Sequence, residues 1–400
     1  MNWERKKLGE VCEIYQPQTI TGKEIFPEGR YKVFGANGFI GYYHRYNHEQ
    51  SEVLVTCRGS TCGTVNMSEP KSWITGNAMV VHPNVKTLQK KFLFYALESA
   101  DLSGVISGTG QPQITRCSLS PVEIPLPPLP VQQKIVEVLD TIQEAVELQQ
   151  KIIEKTKELK KSLMNLLFHY GLAGLRVKEL TGLQAAELTS SQIEKLGLKL
   201  KKTEIGEIPE HWEVVRVGEV CRLRKEQVIP NPNEKYIGLE HLDGGETRIC
   251  RHGLGSEVRS LKNKFYREDI LYGKLRPYLD KAGIAEFEGV CSTDLLVVAA
   301  EADKISPFYL AWLMHTPKFL SFARETMSGT NHPRTSWDSL KVFTLALPPL
   351  SEQKEIAEIL QTIDQKMEIE KRKKELYQEL FKTMLNKIMN QQIDVSLLDY

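Results

Sequence analysis

The chain has 400 residues, 41% apolar and 26% charged, with Lys+Arg 52 against Asp+Glu 51. That length exceeds what one hydrophobic core usually serves, so two domains are expected, and the composition excludes a disordered chain. A near-zero net charge gives no bulk basic signature for nucleic acid, so any contact with DNA has to come from local patches or from a partner.

The first residues, MNWERKKLGE, are charged and lack the apolar stretch of a secretory signal. No run of about 18 uncharged apolar residues follows, so no membrane span is expected. Cys12, Cys57, Cys62, Cys117, Cys221, Cys250 and Cys291 are scattered and form no C-x-x-C pair, which speaks against a zinc ribbon and for a reduced cytoplasm.

Taken in chain order, VLVTCRG from Val53, AMVVHP from Ala78 and PVEIPLPPL from Pro121 are short apolar runs bounded by Gly, Pro and Asn, the pattern of strands. KTLQKKFLFYALES from Lys86 has the spacing of an amphipathic helix. From Pro130 to about Tyr170 there is neither Gly nor internal Pro. Ile135, Val138, Ile142, Ala145, Gln149, Ile152, Thr156, Leu159, Leu163 and Leu166 recur there at steps of three and four, a heptad seam with polar Gln149 and Thr156 in it. LTGLQAAELTSSQIEKLGLKLKK is a polar connector that could hold a short helix. GVCSTDLLVVAA from Gly289 is strand-like, and SPFYLAWLMHTPKFLSFARETM from Ser306 is helical. A second seam runs through Ile356, Leu360, Ile363, Met367, Glu370, Lys374, Tyr377, Phe381, Met384 and Ile388. The tail QQIDVSLLDY is expected to fray.

These elements repeat. WERKKLGEVC from Trp3 returns as WEVVRVGEVC from Trp212, an offset of 209. Asn77 pairs with Asp294 at 217, Phe92 with Phe308, and SGTGQPQ from Ser107 with SGTNHPR from Ser328 at 221. That last offset then holds through LPPLPVQQKIVEVL and LPPLSEQKEIAEIL. Loops lengthen while framework elements are kept, so each half is a globular part followed by a helix. Pro130 suits a first helical turn, and Ser351 at the same place can cap. Roughly 40 residues make a rod of about 60 Å whose apolar stripe cannot be left in water. Packing one helix antiparallel on the other is the economical solution; the alternative is that each packs on its own globular part.

The expected organisation is α+β. Two strand-rich mixed domains in internal repeat (1–125 and 206–346) are separated by two long helices (126–170 and 347–390) that form an antiparallel coiled coil with pseudo-two-fold symmetry. A connector (171–205) and a tail (391–400) complete the chain.

Catalytic motifs are missing. There is no G-x-x-x-x-G-K-[ST] phosphate loop, no H-E-x-x-H, no Asn-Pro-Pro-aromatic or Asp-Pro-Pro-aromatic tetrapeptide, and no clustering of the nine histidines. FGANGFIG has the wrong glycine spacing for a dinucleotide loop and is expected to be a turn. Glu158-Leu159-Lys160 resembles the end of a nuclease motif but lies inside the long helix, where a solvated charged face is expected.

What remains is surface suited to contacts. GYYHRYNHEQ places Tyr42, Tyr43, His44, Arg45, Tyr46 and His48 together, as a binding loop or as structural packing. LVTCRGSTCG sets Arg58, Ser60 and Thr61 on a glycine-bounded turn, and its counterpart LYGKLRPYLDK holds Lys274, Arg276 and Tyr278. A basic run passes through Arg248, Arg251, Arg259, Lys262, Lys264 and Arg267. The shared Ser-Gly-Thr turn diverges at Gln111 and Gln113 in one half and at Asn331, His332 and Arg334 in the other. Lys and Arg suit phosphate oxygens, and Arg, Gln, Asn and His can read base edges.

Over essentially its whole length the chain resembles the specificity subunit of type I restriction–modification systems. The resemblance rests on the doubled globular-part-plus-helix arrangement, on IPLPPLPVQQKIVEVL and ALPPLSEQKEIAEIL, on TEIGEIPEHWEVVRVGEV from Thr203, and on LYGKLRPYLDKAGIAEFEGVCSTDLLVV from Leu271. The first half departs from the last pattern, with CRGSTCG in place of GKLRPYLDKAG. The resemblance implies a non-catalytic DNA reader whose two target-recognition domains each take one half of a bipartite site on double-stranded DNA. The helix pair would set the gap and dock two modification (methyltransferase) subunits. S-adenosylmethionine, ATP and Mg would belong to those subunits and to the restriction/translocase subunits, with no cofactor in this chain. Two other readings are a coiled-coil scaffold with protein- or glycan-binding domains, and a stand-alone nuclease or methyltransferase, which would need a motif the chain lacks.

Overall fold

The computed structural model describes residues 3–108, 110–181, 197 and 199–395, so most of the polar connector, including its candidate helix, lies outside the described residues. The chain divides into two compact units, residues 1–150 with 371–400, and residues 151–370.

In the first unit an antiparallel ladder joins Glu4–Lys7 to Glu123–Leu126, with Glu4 opposite Leu126 and Lys7 opposite Glu123. The chain then turns through a four-residue helix, Leu8–Val11, into a four-stranded antiparallel sheet ordered Cys12–Tyr15, Ala78–Pro83, Val53–Thr56, Val65–Met67. Val53–Thr56 is buried at every position, which explains an unbroken apolar run where a half-solvated strand would alternate. A smaller sheet holds Gly38–Tyr43, Tyr31–Gly35 and Trp73–Ile74. The helix Lys90–Ser99 covers the larger sheet with Phe92, Leu93, Ala96 and Leu97.

The second unit repeats this order. Glu213–Arg216 pairs with Thr344–Leu347, Glu213 opposite Leu347, so the ladder obeys the sequence offsets of 209 and 221. The helix Val217–Val220 leads to a sheet ordered Cys221–Leu223, Leu295–Ala300, Ile270–Gly273, Ala282–Ile284. Here the smaller sheet has grown to five strands: Gln227–Val228, Lys262–Phe265, Gly289–Cys291, Lys235–Ile237 and Gly253–Leu254. The expected helix from Ser306 is two, Pro307–Leu313 and Pro317–Glu325, because Pro317 starts a new first turn under a Thr316 cap.

The first long helix spans Leu129–Thr181 and breaks at Gly171, whose φ of 64° and ψ of −155° suit glycine alone. The second spans Leu350–Met389. In the first unit Ile135, Val138 and Leu139 share a core with Leu385, Ile388 and Met389, while Gln150 accepts a hydrogen bond from Lys374 Nζ (2.7 Å). In the second unit Met164 and Leu167 share a core with Ile356 and Leu360. Within each unit the helices therefore run antiparallel, and each also packs on a globular part. Val395 is fully buried and Ile393 packs beside it, so these tail residues are docked where fraying was expected.

The repeated LPPL…Q stretch now has a physical reason. Gln132 is fully buried; its Nε2 donates to Thr87 O (2.9 Å) and Pro127 O (2.8 Å), and its Oε1 accepts from Gln89 N (2.8 Å). Gln353 does the same 221 residues later, donating to Lys304 O (3.1 Å) and Pro348 O (2.8 Å) and accepting from Ser306 N (2.8 Å). Each glutamine satisfies backbone groups at the start of a helix and on the proline turn, latching the long helix to its globular part.

Two expectations for the first long helix need correction. Leu159 is 45% exposed and Lys160 is buried, so the inward stripe passes through Ile153, Thr156, Lys160 and Met164. Lys160 is no part of a solvated face, although Glu158 is. Its Nζ lies 2.7 Å from Asp364 and 3.7 Å from Glu246, donates to Gly245 O (3.0 Å), and sits 4.6 Å from the Trp312 ring centroid. These partners offset part of the cost of drawing an ammonium out of water.

Candidate nucleic-acid interface

In each unit the main chain brings two of the polar segments together. Ser107 and Gln113 exchange both backbone hydrogen bonds (2.9 and 2.8 Å), and Ser328 and Arg334 do the same (2.9 and 2.9 Å). Gly59 N–H donates to Pro112 O (3.2 Å), as Arg276 N–H does to Pro333 O (2.8 Å). Cys57 N–H donates to Asn77 O (3.1 Å), as Lys274 N–H does to Asp294 O (3.0 Å). Ile114 N–H reaches Cys57 O (3.0 Å), as Thr335 N–H reaches Lys274 O (3.0 Å). One pattern of backbone bonds thus clamps a turn that follows a central strand against the Ser-Gly-Thr turn. The framework is common to both units, and the side chains it displays differ.

In the first unit the clamped pair displays Arg58, Ser60, Gln111 and Gln113, all exposed. Thr61 is half-buried and donates to the Asn37 side chain, which draws the turn at Ala36–Asn37 onto the same surface. Arg58 and Gln113 also line a cleft of about 280 Å³ with Tyr15, Gln16 and Arg116. In the second unit Arg276, Tyr278, Asn331, His332 and Arg334 are exposed and Lys274 is half-buried. Arg334 Nε lies 3.1 Å from Asp294 Oδ1, so this guanidinium is held by its own domain. Arg276 has a φ of 50° and Asp280 a φ of 54°, left-handed conformations that cost an L-residue on the order of 1 kcal/mol.

The other candidate residues lie elsewhere. Tyr42 and Tyr43 belong to a strand of the smaller sheet and are half-buried. Tyr42 packs edge-on against Phe39 (centroids 5.2 Å apart), and Tyr43 against Trp73 (5.0 Å). Tyr46 packs on Tyr31 at 5.0 Å, and His48 Nε2 is 2.9 Å from the Tyr15 hydroxyl. Burial pulls the His48 imidazole below its ordinary range, against the opposing pull of Glu52. His44, Arg45 and Tyr46 are exposed. Along the basic run, Arg248 pairs with Glu286 (3.5 Å), Arg251 with Asp243 (2.5 Å) and Lys264 with Glu234 (2.7 Å), while Arg259 and Arg267 are exposed. Lys262 is buried against Ser260.

Sequence reasoning passed over Asn37, read there only as part of a turn, and Asp294, noticed only as the repeat partner of Asn77. The offset of 217 that pairs Asn77 with Asp294, applied also to Cys57 and Lys274, carried the signal for Asp294. Among the described residues, no group of three or more His, Cys, Asp or Glu side chains converges as a metal site, and no helix is long and apolar enough to cross a membrane.

Comparison with known proteins agrees with this duplicated layout. A family model for the type I restriction modification DNA specificity domain matches residues 1–158 and again residues 209–377. The type I restriction enzyme EcoDI specificity subunit of Escherichia coli is 25% identical over 363 residues, covering 89% of this chain and 80% of its own. The MjaVIII specificity subunit of Methanocaldococcus jannaschii is 24% identical over 427 residues, covering 100% of this chain and 95% of its own. The crystal structure of a type I restriction–modification S subunit from M. genitalium shares the fold, with a TM-score of 0.62 at 18% identity over 97% of this chain and 96% of that one. A further chain, from a structural study of assembly and conformational transition in the type I restriction–modification system, gives 0.54 at 16% identity over 96% and 97%. With the same specificity domain recognised twice over most of its length, the chain belongs to the type I restriction–modification DNA specificity family.

Proposed function

We propose that this chain selects the DNA sequence on which a type I restriction–modification complex acts. Each clamped loop pair faces one half of a bipartite site on duplex DNA, and the chain contributes no catalysis of its own. The observation that carries this reading is the backbone clamp made twice with the same bonds and different side chains, Arg58 and Gln113 in one unit against Lys274, Arg276 and Arg334 in the other. A common framework with divergent tips is what two readers of different base sequences require, because phosphate contacts set position while base-edge contacts specify.

The net charge of +1 fits a reader that does not bind alone. Much of the phosphate neutralisation that drives affinity would come from modification subunits, which would also bring S-adenosylmethionine, while translocating restriction subunits would bring ATP and Mg. Such a complex would work in the cytoplasm. Two helices that continue through both units are suited to fix the unspecified gap between half-sites and to dock the modification subunits. Single-molecule methylation mapping of DNA exposed to the chain with its modification partner tests the proposal. A methylated motif in two parts with a constant gap is expected; a contiguous motif, or methylation without sequence preference, would overturn it.

A further inference from the structure

The turn that follows the central strand starts and ends in the same left-handed conformation in both units. It runs from Gly59 to Gly63 in the first and from Arg276 to Asp280 in the second. The φ angles are 89° and 92° for the two glycines, against 50° and 54° for the arginine and the aspartate. Inside the turn, Cys62 N–H donates to Gly59 O (3.0 Å), as Leu279 N–H does to Arg276 O (2.9 Å). The first unit meets the backbone requirement with the residue that meets it freely; the second carries two side chains where they are strained.

At one of these positions the domain itself supplies the reason. The Asp280 carboxylate lies 2.7 Å from His315 Nδ1, and that buried histidine reaches Ala282 O at 3.1 Å with its other ring nitrogen, so the side chain anchors the turn. Arg276 has no such reason. Its backbone N–H bond to Pro333 is one that Gly59 also makes, and its exposed guanidinium has no hydrogen-bond or ion-pair partner among the described residues. Nearby Arg334 is held by Asp294, and Tyr278 and Leu279, 42% and 45% exposed, follow Arg276 on the turn. The strained arginine is therefore a donor fork without an internal acceptor.

We infer that Arg276 is a recognition residue of the second domain, held in an unfavourable backbone so that its guanidinium meets a pair of acceptors on the DNA duplex. The inference rests on the function proposed above. A planar fork of N–H donors matches two convergent acceptors, either phosphate oxygens or the O6 and N7 edge of a guanine.

The test compares Arg276→Gly and Arg276→Ala with the unaltered chain, each assembled with its modification subunits, by thermal unfolding and by DNA-binding titration at several salt concentrations. Arg276→Gly removes strain and guanidinium together. It should unfold at the same or a higher temperature while binding the cognate site at least about 10-fold more weakly. Arg276→Ala keeps the strain and should lose the same affinity without any gain in stability. Equal loss on all sequences, with the salt dependence reduced by about one ion, assigns a phosphate; tolerance of a new base at one position of one half-site assigns a guanine edge. Unchanged binding by Arg276→Gly, or weaker binding accompanied by a lower unfolding temperature, would overturn the inference. If the unaltered complex shows no sequence preference, the functional proposal fails instead.

Discussion

Lys160→Met is the most informative perturbation of the fold. The Lys160 side chain is 9% exposed and is paired with Asp364, 15% exposed, and Glu246, 25% exposed. Removing one partner of such a buried group strands the other charges, at a cost of about 3–5 kcal/mol. The methionine regains part of the packing on Trp312, so about 3 kcal/mol is expected. Burial raises the Asp364 carboxyl, and Lys160 works in the opposite direction. A carboxyl raised in the folded state contributes stability while it is protonated and loses that contribution as pH rises through its folded value. Without Lys160 the carboxyl rises further. The cost of the substitution should accordingly be small near pH 4 and grow towards pH 7. Asp364→Leu combined with Lys160→Met should cost at least about 1 kcal/mol less than the sum of the single changes. Urea unfolding followed by tryptophan fluorescence, from pH 4 to 8, measures all three quantities. A loss below about 1 kcal/mol, or one independent of pH, would refute the reasoning.

Gln132→Ala and Gln353→Ala each remove three hydrogen bonds to backbone groups and should cost about 2–3 kcal/mol. Hydrogen exchange should report the damage separately, at the Gln89 amide for the first and the Ser306 amide for the second. Gly171→Ala should destabilise the second unit by more than about 2 kcal/mol, since a Cβ there would lie 2.1 Å from Glu352 Oε1 and 2.7 Å from Trp212 at a positive φ; calorimetry decides. Inserting four residues into the first long helix adds about 6 Å and should change the unspecified gap while leaving both half-sites intact in methylation mapping. An unchanged gap would remove the helices from any part in spacing.

The repeat made much of this fold legible. The offsets of 209 and 221 are the register of the two outer ladders, and the shared glutamine is the latch. Both long helices could be read because a stripe sustained over many turns has no other use. Lys160 could not, because its reason for burial comes from Glu246, Trp312 and Asp364, distant in sequence. For the candidate site, the turns themselves were visible as Gly- and Pro-bounded segments. Their mutual clamping was not, since backbone bonds between positions such as Gly59 and Pro112 leave no trace in residue type. The smaller sheet absorbed Tyr42 and Tyr43, whose aromatic character fits cross-strand packing as well as an exposed contact.

The first unit is finished by residues far along the sequence: Leu385, Ile388, Met389 and Val395 complete its core, and Gln391 accepts a hydrogen bond from Trp3 N (2.9 Å). The second unit is made of residues 151–370. Emerging from a ribosome, the first unit must wait, with part of its interior uncovered, until residues 385–395 have been made, while the second unit can fold before it. The usual order of domain maturation is inverted. A premature stop near residue 370 would spare the part made later and cripple the part made first.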